Sequence, residues 1–336
     1  MHSGGKGNAD RTVAMRHDDT GNAMLTCVLF DAAGKDRQID PGESDLDALQ
    51  SDQLLWIDGP SAEVKAANLP TAMREALANR PCTQGVEVSE GLYQFPVPHP
   101  SAKASDNAEA ICFFVGENWL LTLSDPRPDF MDRFLDADGG ETLKGKMSAS
   151  ALVAAVLLDL LSEYRAELVS IEKGIDKLDE TILRAREKRA PLKTLAVLRR
   201  RVSHVRVTLS DFAPLVHALN RPDFLTHVDA DDAGYFAQLR YTFDRLEDMA
   251  ARVRETIVNS FDLYDTRVSQ DTNQLIKALT IVTVLTGIVG AVASVFGMNF
   301  DLPIDHTGLR GFWFVIDGMV LSALAVLGLA VWRRWI

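Results

Sequence analysis

The sequence predicts an α/β cytosolic domain followed by a long α-helical stalk and two transmembrane helices. Three observations support this fold class. Short apolar runs alternate with helical spacing over residues 24–125, apolar residues recur at helical spacing from Leu152 onward, and two apolar stretches of about 20 residues follow. The predicted segments are a disordered N-terminus (1–21), the α/β domain (22–147), a helical hairpin (148–230), a stalk helix (231–278), a first membrane helix (279–298), a loop (299–310), a second membrane helix (311–332) and a basic tail (333–336).

Residues 1–21 are polar and rich in glycine, and they lack the apolar core of a signal peptide. We therefore expect disorder there. The α/β domain follows, because apolar runs of strand length end at Gly, Pro or Asp. Its predicted elements are strands at 24–30 and 54–58, a helix at 69–79, a strand at 92–97 whose Pro96 indicates a sheet edge, and a hairpin of 110–115 with 119–123 around Gly116.

The helical hairpin is predicted from apolar residues at helical spacing over 152–183 and 192–219, with Pro191 as the boundary between the two helices. The stretch from Arg184 to Arg206 is basic. A nucleic-acid patch is one interpretation, but the stretch has no aromatic residues, and a solvated, salt-bridged hairpin is favoured.

The stalk helix begins after Asp229, Asp231 and Asp232, which are suited to cap it. It contains neither Pro nor Gly from Tyr235 to Thr286, so we expect it to run without a break into the membrane, over about 90–100 Å. A helix of that length is not stable alone. The sequence therefore predicts that several copies pack side by side as a funnel.

One face of this helix is small and polar through the membrane. Steps of four and three residues keep to one face of a helix in a left-handed bundle. All but one of the positions reached are polar or small, and we call this set the seam: Asp262, Thr266, Ser269, Asn273, Ile276, Thr280, Thr283, Gly287, Gly290, Ser294 and Gly297.

Such a seam cannot face lipid, because unpaired polar groups are costly there. It can pack on other helices, as small-xxx-small spacing allows, or it can line water. The seam continues below the membrane through Asn273 and Asp262. Close packing in lipid does not require that continuation, so a water-lined pore is favoured.

The second membrane helix is followed by Arg333 and Arg334, whereas the loop before it carries only Arg310. By the positive-inside rule both termini are cytoplasmic. Asp317 lies within this helix. An intramembrane carboxylate is a functional candidate by default, although a position facing protein or headgroups is favoured here.

The composition of the chain argues against several classes of function. The net charge of the 336 residues is −12, which argues against nucleic-acid partners and suits a protein that attracts cations. Cys27, Cys82 and Cys112 form no C-x-x-C pair, so we expect reduced, small apolar residues rather than a zinc site or disulfides. No catalytic triad, phosphate loop or dinucleotide fingerprint is present. The sequence predicts neither an enzyme nor a cofactor.

Gly297-Met298-Asn299 resembles the signature of the CorA superfamily of divalent-cation channels and transporters. The resemblance extends along the chain, with matching separations, over about 240–336. It includes the family's N-x-x-M-K-x-L-T run at 273–280, with Ile276 in place of Met, its L-D-x-Y run at 261–264, and its basic, aromatic C-terminus at 332–335. Two features depart from the family: the pore helix lacks a Pro, and the usual M-P-E-L after the motif is replaced by 301–306.

The resemblance implies a homopentamer in the cell (inner) membrane, with the first membrane helix lining the pore. Gly297, Met298 and Asn299 would form the selectivity filter, and Asn299 would hold the hydrated ion. Ile276 would be a hydrophobic gate, and Asp262 an acidic ring at the inner mouth. Cations would be attracted by the outer loop through Asp301, Asp305 and His306.

The resemblance leaves the ion open. Mg²⁺, with Co²⁺ and Ni²⁺, is the common family substrate, whereas the ZntB branch carries Zn²⁺, to which the imidazole of His306 is suited. A further alternative is a non-conducting helical sensor anchored in the membrane. That alternative does not account for the seam or for Gly-Met-Asn.

Overall fold

A computed structural model describes residues 25–31, 36–41, 49–50, 52–79, 85–89, 91–98, 110–125, 127–136, 148–184, 189–297 and 309–333. The strands are β1 (Thr26–Asp31), β2 (Arg37–Gln38), β3 (Gln53–Gly59), β4 (Glu87–Ser89), β5 (Leu92–Val97), β6 (Ile111–Val115) and β7 (Trp119–Leu123). The helices are α1 (Ser61–Ala66), α2 (Thr71–Asn79), α3 (Asp129–Asp136), α4 (Ala149–Arg184), α5 (Arg189–Leu219), α6 (Pro222–Leu225), α7 (Ala233–Phe296) and α8 (Leu309–Trp332).

The chain forms two compact units. The first comprises residues 1–175 and 196–257, and the second comprises 176–195 and 258–336. The fold is that predicted: an α/β part, a long helix, and two apolar helices near the C-terminus.

The described strands form one seven-stranded sheet in the order β2-β1-β3-β7-β6-β5-β4. All neighbours are antiparallel except β3 and β7, which are parallel, with Asp58 opposite Thr122. β5 lies between β4 and β6, so its assignment to the sheet edge is wrong. Its described pairs with β4 nevertheless stop at Gln94, two residues before Pro96, so the proline nitrogen meets no partner in that ladder.

Each face of the sheet is buried. On one face α1 and α2 contribute Val64 and Met73 to a core with Leu55 and Ile57 of β3. On the other face the aromatic rings form a continuous cluster, because Tyr93 lies edge-on to Phe224 with centroids 5.1 Å apart, and Phe224 lies 5.4 Å from Phe236 of α7. The base of α7 is therefore anchored on the sheet.

The predicted hairpin is confirmed as β6 and β7. The Gly116 amide donates to the Trp119 carbonyl at 2.9 Å and closes the turn. A Cβ at Gly116 would lie 2.3 Å from the indole of Trp119, closer than any real contact. Glycine is therefore required where the indole folds over the turn.

A buried polar cluster joins the ends of the parallel strands. Arg127 Nε lies 2.6 Å from Asp58 Oδ2, and its Nη2 lies 3.0 Å from Asp132 of α3. Its Nη1 donates to the Thr26 hydroxyl of β1 at 2.8 Å, and the Thr122 hydroxyl donates to Asp58. Burial raises the pKa of Asp58, and the positive charge of Arg127 opposes that rise. The cluster ties together β1, β3, β7 and α3.

Three further hydrogen bonds fix the starts of the long helices in the first unit. The Ser148 hydroxyl donates to the carboxylate of Asp232, which immediately precedes α7, and accepts the Ala151 amide at 3.0 Å as the N-cap of α4. The Tyr93 hydroxyl and Ser150 Oγ lie 3.0 Å apart. Asp232 thus connects the two helix starts.

The helices of the hairpin are confirmed, with one shift. Pro191 lies in the first turn of α5 rather than before it, where a missing N–H costs no hydrogen bond. Arg201 and Glu167 form a bidentate ion pair at 2.8 and 2.9 Å between α5 and α4. This contact supports the salt-bridged interpretation of the basic stretch.

The cysteines do not all behave as expected. Cys27 is free and buried, and burial raises the pKa of its thiol to about 12. Cys112 is disulfide-bonded, contrary to the expectation of three reduced thiols. Residues 1–21 and Cys82 lie outside the described residues.

Candidate functional site: the seam of the long helix

The seam lies on α7, and α7 also carries a second line of positions that are buried. The buried line follows the same alternation of three and four residues, and its fully buried members are Phe236, Leu239, Phe243, Leu246, Ala250, Val253, Ile257, Ser260 and Ile281. Half-buried positions at the same spacing extend it through Tyr264, Arg267, Asp271, Leu285, Ile288 and Val292.

All eleven seam positions, from Asp262 to Gly297, are exposed. At 100° per residue the seam lies about half a turn from the buried line. The chain therefore packs one side of α7 and leaves free the side that is small and polar.

The threonines of the seam use their donors within the helix. The Thr280 hydroxyl donates to the Ile276 carbonyl at 2.8 Å, and the Thr283 hydroxyl donates to the Leu279 carbonyl at 2.9 Å. A hydroxyl has one donor and two acceptor lone pairs. With the donor engaged, each threonine presents acceptors on the open face, and those are the groups that interact with the water shell of a cation.

Ile276 is the one bulky apolar side chain on the seam, and it is 55% exposed. It lies in the middle of the stretch 272–280, in which all nine residues are exposed. The neighbouring Leu275 is 67% exposed. The chain's own packing thus stops below this stretch and resumes at Ile281.

The two ends of the seam differ. Asp262 is exposed at the lower end. At the upper end the Gly297 amide donates to the Ala293 carbonyl at 2.9 Å, which completes the last turn. The remaining predicted site residues lie outside the described residues: Met298, Asn299, Asp301, Asp305 and His306.

In the part of the chain that the structure describes, two helices are long and apolar enough to cross a membrane. They are α7 and α8, with mean hydropathy of 2.2 and 2.3 over their best 18-residue windows. Asp317 of α8 is exposed and lines a shallow hollow with Arg310 and Trp313. It is not on α7, so the described structure does not bring it into the seam.

Within the described ranges, no cluster of three or more His, Cys, Asp or Glu side chains could hold a metal ion. The sequence interpretation missed the downward continuation of the exposed line of α7 below Asp262 and the Asp58–Arg127 pair. The continuation below Asp262 could have been found by carrying the steps of three and four residues further toward the N-terminus. For the Asp58–Arg127 pair, the sequence shows only an aspartate at the end of an apolar strand.

The model of the family described as CorA-like Mg²⁺ transporter protein matches residues 58–332. The cobalt/magnesium transport protein CorA of Methanocaldococcus jannaschii is 23% identical over 330 residues, which cover 93% of this chain and 100% of that protein. The protein of the same name from Thermotoga maritima is 24% identical over 191 residues, 57% of this chain and 54% of that one.

Among solved structures, the complete CorA magnesium transporter of Methanocaldococcus jannaschii superposes with a TM-score of 0.70 at 20% identity, covering 92% of this chain and 98% of that one. The full-length CmaX protein gives a TM-score of 0.62 at 20% identity, covering 94% and 98%. At such identities the likeness establishes the fold.

Proposed function

Since this chain belongs to the family of CorA-like Mg²⁺ transporter proteins, we propose that it carries divalent metal cations across a membrane through a pore lined by the seam, in a homopentamer. The observation that carries this proposal is the position of the seam. Every seam residue is exposed and lies opposite the buried line of the same helix. Copies arranged around an axis would bring these open faces together.

The seam suits a hydrated dication. Mg²⁺ gives up its water reluctantly, so a pore for it needs acceptors and width rather than a cage of carboxylates. Thr280 and Thr283 supply hydroxyl acceptors, and Gly287 and Gly290 supply width. At the outer end a ring of Asn299 amides with Gly297 and Met298 carbonyls would hold the water shell as the selectivity filter.

Ile276 is the proposed gate. A ring of its side chains would be the one apolar constriction along the seam, and an ion cannot cross a dry constriction with its shell intact. Its 55% exposure in the single chain leaves the side chain free to meet the same residue of other copies.

We propose that the protein lies in the inner membrane of the cell, with both termini in the cytoplasm. Arg333 and Arg334 follow the second span, whereas Arg310, at the start of α8, is the one Lys or Arg between Lys277 and Arg333. Asp301, Asp305 and His306 would then face outward and raise the local cation concentration.

Mg²⁺, with Co²⁺ and Ni²⁺, is the proposed cargo, because two relatives bear the name cobalt/magnesium transport protein. Zn²⁺ is the alternative, because the imidazole of His306 is a ligand suited to Zn²⁺. No resident cofactor, enzymatic activity or nucleic-acid partner is part of the proposal.

The test is metal uptake into liposomes that hold the purified full-length chain, with protein-free liposomes as the blank and Mg²⁺, Co²⁺, Ni²⁺ and Zn²⁺ offered separately. Uptake of Mg²⁺ above the blank is expected. Uptake of Zn²⁺ alone would mean that the transported ion is Zn²⁺ rather than Mg²⁺. No uptake of any ion would favour the non-conducting sensor and end the pore proposal.

A further inference from the structure

The exposed line of α7 does not begin at Asp262. The same alternation of three and four residues continues toward the N-terminus through six more exposed positions: Tyr241, Arg245, Asp248, Arg252, Glu255 and Asn259. Four of these are charged, and the sign changes from each to the next. We name Arg245, Asp248, Arg252 and Glu255 the charge line.

Among the described residues, the charge line is exposed and takes no part in the packing of α7 against its own chain. The opposite side of α7 is the one that packs, through Phe243, Leu246 and Val253. Arg245 contacts Tyr241, with its Nη1 3.3 Å from the hydroxyl and its guanidinium 5.8 Å from the ring centroid.

Asp248, Arg252 and Glu255 form no ion pair with any residue that the structure describes. Among described residues, the ion pairs on α7 within 4 Å are Arg240 with Asp244 at 3.9 Å and Arg267 with Asp271 at 3.7 Å. Both pairs lie off the charge line, so Asp248, Arg252 and Glu255 are available to a partner.

The sequence of signs is complementary to a parallel copy of itself. In two parallel helices in register, Arg252 of one copy is level with Arg252 of the other. Asp248 and Glu255 lie about 6 Å below and about 4.5 Å above along the axis. Each guanidinium therefore has a carboxylate of the neighbouring copy one turn away on either side. A line of a single sign would instead repel its copies.

We infer that the charge line is a surface at which stalk helices of neighbouring copies hold one another in parallel and in register, with Arg252 pairing to Asp248 and Glu255 of the next copy. This inference rests on the homo-oligomer of the proposed function but not on conduction. The partner is a second copy of this chain, because the chain supplies both signs at the required spacing.

The experiment uses two variants with opposite lines. Arg252→Glu leaves three successive acidic positions at 248, 252 and 255, and Asp248→Arg with Glu255→Arg makes all four positions basic. Each carries Asn259→Cys, an exposed position on the same line, and cross-linking between copies by a bifunctional maleimide is measured on the full-length chain in detergent. Arg254→Glu, exposed but off the line, is the matched control.

Each variant alone should lose cross-linking by at least about twofold at physiological ionic strength, where exposed charges are screened beyond about 8 Å. Co-expression of the two variants with different tags should restore it between unlike copies, because acidic and basic lines then face each other. The Arg254→Glu control should cross-link like the parent. Circular dichroism checks that each variant keeps its helices.

Cross-linking that survives both reversals, or that does not return on co-expression, overturns the inference. Native mass measurement of the parent separates the two proposals. An oligomer with unaltered cross-linking removes only the charge line, whereas a monomer removes the homo-oligomer of the proposed function as well.

Discussion

The hydroxyl of Thr280 donates to the carbonyl of Ile276 at 2.8 Å, one turn earlier on the seam. That bond satisfies the only donor of the side chain inside the helix. The oxygen lone pairs remain on the exposed face, and the threonine therefore contributes acceptors alone. Thr286 makes the same bond, to Val282 at 2.9 Å, but it lies off the seam.

Thr283 on the seam and Thr286 off it make the same kind of bond, at 2.9 Å each, and allow a matched comparison. Thr283→Val keeps the shape and removes the acceptor, and we expect uptake to fall roughly fivefold, the equivalent of about 1 kcal/mol for one hydrogen bond. Thr286→Val should leave uptake unchanged. Equal effects of the two substitutions on Mg²⁺ uptake into liposomes would argue that the seam is not the water-facing side.

Asn299 is predicted to select the ion. Asn299→Ala removes the amide acceptor at the outer end of the seam, and uptake should be abolished while the oligomer stays assembled. The measurement is uptake together with native mass, and Asn259→Ala, at an exposed position of α7, is the control. Uptake at the wild-type rate in the Asn299 variant would remove the filter assignment.

The outer acidic residues are predicted to concentrate cations without choosing among them. Asp301→Asn with Asp305→Asn should lower uptake mainly at low salt, because exposed charges are screened within about 8 Å at physiological ionic strength. Uptake rates for Mg²⁺ and Co²⁺ are compared across salt concentrations. An altered preference between the ions at an unchanged rate would contradict this role.

Ile276 is predicted to close the pore. Ile276→Gly or Ile276→Ser should wet the apolar ring and raise ion leak even with abundant internal ion. Leu275→Gly has the same cost in helix propensity, about 1 kcal/mol, at an exposed position off the seam, so its currents should stay closed. If the Lys277→Ala variant leaks ions while the Ile276→Gly variant stays as closed as wild type, the residues assigned to the pore face are shifted by one position along the helix.

The buried pair of Asp58 and Arg127 is predicted to stabilise the α/β part strongly. Arg127→Met leaves Asp58, which is 1% exposed, without its cation, and the free energy of unfolding should fall by about 3–5 kcal/mol. Arg133→Met breaks an exposed pair with Glu163 and should cost at most about 1 kcal/mol. Denaturant unfolding of the full chain, followed by tryptophan fluorescence, distinguishes them. Equal losses would contradict the assignment.

The long helices and most strands followed from the sequence because their apolar periods are clear. The run without Pro or Gly from Tyr235 to Thr286 predicted α7, and the structure confirms it. α1 was missed, because six residues after Gly59-Pro60 are too few to display a helical period. The order of the strands was out of reach, since β3 pairs in parallel with β7 across some 60 residues of chain, and local spacing carries no record of such a contact.

The seam was predictable because its spacing of three and four residues can be counted within one helix. The structure adds the observation that all of its positions are exposed. The pairing of Asp58 with Arg127 could not be predicted, because 69 positions separate them and either alone is consistent with a surface residue. Phe236 and Phe243 are fully buried, so the lower part of α7 packs within a single copy, in addition to any packing between copies.

The unbroken register of α7 has a consequence for insertions and deletions. Residues 272–280 are all exposed, so losing one of them would remove no buried side chain. It would nevertheless rotate everything after the cut by about 100° relative to everything before it, and Thr283 would leave the line of Asp262. A deletion of seven residues would restore the phase. An exposed segment without buried side chains is thus one whose length is nevertheless constrained.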